Sequence, residues 1–147
     1  MKYLLVIFVI AVALAPLIQF LPSKRQRKIA GLRESAALQG LFVEFRDMPG
    51  SHIVPKAPAG LIYYGKRFPI RRPRPVETGT WLLLGDGWRN VGGTKPVTTL
   101  LQDLPVEILA ASVDEFSCGV YWTESAEEGA VEQIQQVLEH WSDELMQ

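Results

Sequence analysis

The sequence predicts an α+β protein: an N-terminal transmembrane helix, then a small antiparallel sheet with a C-terminal amphipathic helix packed on it. Three observations predict it. Residues 3–21 form an apolar run without a formal charge, the middle of the chain holds short β-rich runs broken by Gly and Pro, and the last twenty residues repeat apolar side chains at helical spacing. With 147 residues the chain has room for an anchor and one domain of ordinary size.

The run YLLVIFVIAVALAPLIQFL has Gln19 as its one strongly polar side chain. At about 1.5 Å per residue a helix of this length spans roughly 28 Å, close to the hydrocarbon thickness of a bilayer. Pro16 is tolerated inside such a helix. A cleaved secretory signal is the rival, because Ala13-Leu14-Ala15 has the small-x-small form of a cleavage site. Pro16 just after that site, the continuation of the run to Leu21 and the basic stretch beyond it favour an uncleaved anchor over residues 1–22.

Net charge is only −1, yet it conceals a division. Residues 1–75 hold 13 Lys/Arg and 3 Asp/Glu, whereas residues 76–147 hold 2 and 13. Lys24, Arg25, Arg27 and Lys28 follow the anchor directly, with Arg33 further on, and only Lys2 precedes it. Positive charge flanking a span stays inside, so the expected orientation is N-terminus outside and domain cytoplasmic, in a cell inner membrane. The same four cations are the expected membrane-surface contact. Cys118, the single cysteine, has no partner for a disulfide within the chain.

Ser23 with Gln26 forms a capping-box pattern, Ile29, Leu32, Ala36 and Ala37 recur at near-helical spacing, and Gly40 suits a left-handed stop. Residues 23–40 are therefore read as a basic juxtamembrane helix, and residues 41–147 as the α+β domain. Leu41, Val43 and Phe45 alternate as the inward face of a strand, and residues 47–60 are loop. Leu61 to Tyr64 is a short β-rich run, and Lys66 to Pro75, KRFPIRRPRP, is expected to be neither helix nor central strand. Thr80–Leu84 and Trp88–Val91 flank the turn Gly85-Asp86-Gly87, and Val97–Leu104 is a weak helical candidate. VEILAASV and CGVYWT are two further strands around Asp114-Glu115, giving about five in all. Ser125 and Glu128 make a second capping box, opening an amphipathic helix over about residues 126–145.

Chemistry-bearing patterns are sparse. His52 and His140 lie far apart without further ligands at metal-binding spacing, so no metal is expected, and no cofactor either. No phosphate loop, dinucleotide fingerprint or nucleophile elbow occurs. Cys118 reads as a buried strand thiol, and Tyr63, Tyr64, Trp81, Trp88, Tyr121 and Trp122 as sheet and core aromatics. A non-enzymatic protein is the expectation. Lys66, Arg67, Arg71, Arg72 and Arg74 are the candidate partner contacts. Phe68 alone among them is too little stacking surface for nucleic acid.

The layout of residues 3–40, an apolar helix ending near FLPSKRQRK and then a basic amphipathic stretch, resembles small single-pass bacterial inner-membrane proteins, among them the YajC-like accessory subunits of the preprotein translocase. That resemblance implies an accessory role at the membrane and assigns no functional residues. The expected partners are the lipid bilayer and a protein, bound by an accessory or scaffold subunit. A lipid-headgroup-sensing module is the alternative, and an enzyme acting on a membrane substrate is a weaker one.

Overall fold

The computed structural model describes every residue except Val54 and Pro55, which lie within the predicted loop 47–60. It has two compact units, residues 1–30 and 31–147. In the first, α1 (Lys2–Gln19) contains Pro16 and buries none of its side chains. It is long and apolar enough to cross a membrane. α2 (Lys24–Leu38) opens on the expected capping box: the Gln26 amide donates to Ser23 Oγ at 3.2 Å and the Ser23 amide donates to Gln26 Oε1 at 2.9 Å. Its later residues belong to the second unit, where Leu32 and Ala36 are buried, whereas Ala37 is exposed. Gly40 ends it at φ +81°, as expected of a left-handed stop.

The second unit is built on six antiparallel strands, one more than expected: β1 (Phe42–Glu44), β2 (Ile62–Arg67), β3 (Gly79–Leu84), β4 (Gly87–Gly93), β5 (Ala110–Val113) and β6 (Ser117–Trp122). Their order across the sheet is β1-β2-β6-β5-β3-β4. A single turn of 3₁₀ helix (Thr99–Asp103) stands where Val97–Leu104 was expected to be helical, started by the Thr98 side chain. The C-terminal helix α3 (Gly129–Met146) covers one sheet face with Val131, Ile134, Val137, Leu138 and Trp141.

The β-rich run beginning at Leu61 does not stop before the basic stretch. Lys66 and Arg67 pair with Cys118 and Ser117 in an interior strand, because the first proline comes only at Pro69 and their amides remain free for the ladder. VEILAASV is strand only from Ala110, and β1 ends at Glu44, which leaves Phe45 exposed rather than inward. The second capping box does not form: α3 starts from Glu128 without a side-chain cap. Ser125 Oγ instead accepts from Thr123 Oγ1.

Side chains alternate between the two faces. Ile62, Tyr64, Cys118, Val120, Trp122 and Trp81 meet α3. Tyr63, Leu82, Ala110 and Tyr121 form a smaller cluster on the other side, with Phe42, Met48 and Val91 packed on it. Phe42, Tyr63 and Tyr121 run in a row across β1, β2 and β6, with ring centroids 5.6 and 5.0 Å apart. Tyr63 lies over a directly opposed glycine pair, Gly65 and Gly119. A Cβ on Gly119 would stand 2.3 Å from the Tyr63 ring. Gly119→Ala should therefore destabilise the domain by about 1–3 kcal/mol through overpacking. Urea unfolding followed by tryptophan emission would measure it, and an unchanged midpoint would contradict the packing described.

Candidate functional site

The basic segment after β2 divides into residues used inside the fold and residues that are not. Lys66 belongs to the first group, since Lys66 Nζ meets Glu139 Oε2 of α3 at 2.8 Å and pulls that carboxyl below its usual range. In the fold it therefore links the sheet to the helix. Arg67, on the opposite face, lies over the Phe42 ring at 4.3 Å. Phe68 is buried, and its amide donates to the Phe116 carbonyl at 2.7 Å, which fastens the start of the segment to the β5–β6 turn.

From there the chain runs over the surface as Pro69-Ile70-Arg71-Arg72-Pro73-Arg74-Pro75, where three prolines hold φ near −65°. Arg72 donates to the Glu115 carbonyl and its guanidinium lies 5.8 Å from the Phe68 ring. Ile70 is 100% exposed and Phe116 68%. Together with Arg67, Phe68, Pro69 and Arg72 they line a notch of 370 Å³ that no carboxylate enters. A larger cleft of 880 Å³ adjoins it, where Arg72 and Arg74 share the wall with Glu77 and Glu115.

Charge pairing divides the cations of the second unit. Arg33, Arg46, Lys66, Arg89 and Lys95 each meet a carboxylate. Among the described residues Arg67, Arg71, Arg72 and Arg74 form no ion pair. The other expected contacts, Lys24, Arg25, Arg27 and Lys28, lie in the first half of α2, where Arg27 Nε donates to the Pro22 carbonyl at 3.3 Å.

A second polar constellation is absent from the sequence reading. Glu124 is 4% exposed, and its carboxylate accepts from Arg33 Nε at 2.9 Å, Arg33 Nη2 at 2.7 Å and Tyr64 Oη at 2.6 Å. It sits at φ +55°, a left-handed conformation unusual outside glycine. Burial and the bond to Glu124 push the Tyr64 phenol up. Nothing in the local sequence announces this site, because the arginine is 91 residues away. Its chemistry is that of a clasp, in which a half-exposed guanidinium neutralises a buried carboxylate and ties α2 to the end of β6.

On the opposite face Arg46 lies 3.9 Å over the Tyr63 ring and bonds Glu44 at 2.8 Å and Asp114 at 2.9 Å. Burial works against ionisation of Asp114, but the Phe116 and Ser117 amides and Arg46 outweigh it and lower its pKa. Cys118 is fully buried under α3, and burial pushes its thiol up to about 12. His52 and His140 are both exposed. No group of three or more His, Cys, Asp or Glu among the described residues is arranged to hold a metal ion.

The chain matches no protein-family model, and no curated protein or solved structure aligns with it.

Two outcomes follow from these environments. Arg33→Ala leaves Glu124 buried with Tyr64 as its one remaining side-chain donor, and should cost about 2 kcal/mol, below the full penalty for a buried pair because Arg33 is partly exposed. Denaturant midpoints of the two proteins would show it. Cys118 should resist aromatic disulfide reagents at pH 8 in the folded chain and react promptly in denaturant, since the thiolate is the reacting species. Rapid native-state labelling would show that the strand opens.

Proposed function

We propose that this chain is a single-pass membrane protein of the bacterial inner-membrane type. Its α+β domain is a non-enzymatic accessory or scaffold module that works by binding, and the surface from Arg67 to Arg74 is its contact face. The observation that carries the reading is the set of four arginines without carboxylate partners around exposed Ile70 and Phe116. Apolar side chains displayed beside unmatched cations are the composition of a surface that meets something else. The length and apolarity of α1 support the anchor. Lys24, Arg25, Arg27 and Lys28 support a cytoplasmic domain, by the retention of positive flanks.

Binding through a sheet edge is less well supported. β1 offers only three residues, and the pairing of β4 with β3 shifts register between Thr80 and Trp81 of β3. In β4 the Gly92 amide is already taken by Asn90 Oδ1 at 2.9 Å. Such features blunt an edge against a further strand.

The test is photocrosslinking of the full-length chain in its native membrane, with a photoreactive amino acid at position 70 and, as control, at position 136 on exposed α3. Position 70 should give adducts well above the control, reduced to the control level by Arg71→Glu, Arg72→Glu and Arg74→Glu together. Equal yields at the two positions would overturn the contact face.

A further inference from the structure

We infer that the occupant of this face is the anionic surface of a lipid bilayer: Ile70 and Phe116 enter the interfacial zone while Arg67, Arg71, Arg72 and Arg74 meet headgroup phosphates. The inference rests on the reading of Arg67–Arg74 as a contact face and names what it contacts.

Four features favour lipid over an acidic protein. First, the two apolar side chains project outward, with Ile70 fully exposed, whereas a protein hot spot is built around pockets that an anchor residue fills. Secondly, the arginines stand around them unpaired, and guanidinium matches phosphate geometry in two-pronged fashion. The notch itself is free of carboxylates; Glu77 and Glu115 line the neighbouring cleft, where Arg72 and Arg74 stand with them on the wall.

Thirdly, the face is preorganised. Pro69, Pro73 and Pro75 restrict the segment, Phe68 is sunk in the core, and the bonds from Phe68 to Phe116 and from Arg72 to Glu115 hold it to the β5–β6 turn. Ile70 and Phe116 are therefore presented together at little entropic cost on contact. Fourthly, the anchor keeps lipid permanently at hand. Residues 20–30 join α1 to the domain, a tether of at most about 40 Å even when extended. A weak headgroup contact then acts at high effective concentration.

The experiment uses the full chain carrying Pro69→Cys with a nitroxide label, reconstituted into phosphatidylcholine vesicles with or without about one-third phosphatidylglycerol. Buried Cys118 escapes labelling. In the anionic vesicles, collisions with lipid-soluble oxygen should rise and collisions with an aqueous nickel chelate should fall. Salt at about 1 M, where the screening length is about 3 Å, should reverse both changes. Arg71→Glu, Arg72→Glu and Arg74→Glu together should weaken the anionic preference by roughly a hundredfold, at about fivefold for each arginine lost. A label at Gln136→Cys should behave alike in both vesicle types. Because the three arginines are surface residues, unchanged tryptophan emission would show the variant folded.

A position-69 label that stays equally water-exposed in both vesicle types overturns the lipid occupant. If position 70 then crosslinks a protein in native membranes, the contact face stands and its occupant is that protein. If it crosslinks nothing above the control, both readings fall.

Discussion

The interior pair β2–β6 constrains much of the rest of the domain. Both of its faces are packed, one under α3 and the other, with Tyr63 and Tyr121, against Phe42, Met48 and Val91. Polar groups on that pair must consequently be satisfied within the fold. Lys66 reaches Glu139, Tyr63 bonds Ser117, Tyr64 bonds Glu124, and Tyr121 bonds Ser112. The glycine pair beneath Tyr63 follows from the same constraint, because an aromatic ring laid across two strands leaves no room for a Cβ under it. The exception on that pair is the buried indole nitrogen of Trp122, which, like that of Trp81 on β3, lacks an acceptor among the described residues.

Where satisfaction is this thorough, an unmatched charge is informative. Exposed arginines cost little when hydrated, so a lone one would carry no message. Four within eight positions, with no ion pair among the described residues, beside two exposed apolar side chains and on a proline-stiffened segment, do not result from packing, since no residue between Phe68 and Val76 joins the core. Lys66 and Arg46 tie elements of the fold together, and on the proposed reading Arg67 and the residues between Phe68 and Val76 are left to contact. The division falls where β2 leaves the sheet.

Much of this architecture was legible along the chain. α3 shows its apolar stripe at three- and four-residue spacing, and the stripe is what the sheet buries. Ser23 and Gln26 cap α2 as their spacing says, and the turn around Asp114 closes on its own carboxylate. Ser125 and Glu128 carry the same kind of pattern without the cap. A capping box needs an entering chain in extended geometry, and Glu124, held left-handed by its clasp, steers the chain elsewhere. Lys66 and Arg67 share a basic, proline-rich composition with the eight residues that follow, which argues against a central strand over the whole stretch, whereas the ladder responds only to the residues that lack an amide. The Arg33–Glu124 pair was illegible for another reason: contact across 91 positions is a property of the topology, and neither residue is unusual where it stands. Within the basic segment the sequence marked all five cations alike, and only the fold separates Lys66 from the arginines.

The opposite charges of the two chain halves acquire a meaning from the same separation. Ion pairs that join the basic half to the acidic half include Arg33 to Glu124, Arg46 to Asp114 and Lys66 to Glu139. Each fastens a different element, namely α2, the segment after β1, and β2. Part of the asymmetry is thus spent inside the fold, where a buried or half-buried carboxylate needs its cation. Further basic residues cluster in two places, the start of α2, which follows the apolar span in sequence, and the surface around Ile70. Both combine cations with apolar side chains, the pairing that a charged interface with an oily interior selects. A protein partner would account for the second cluster alone; on the proposed reading a bilayer would account for both with one chemistry, and α1 as an anchor would supply it without a separate encounter.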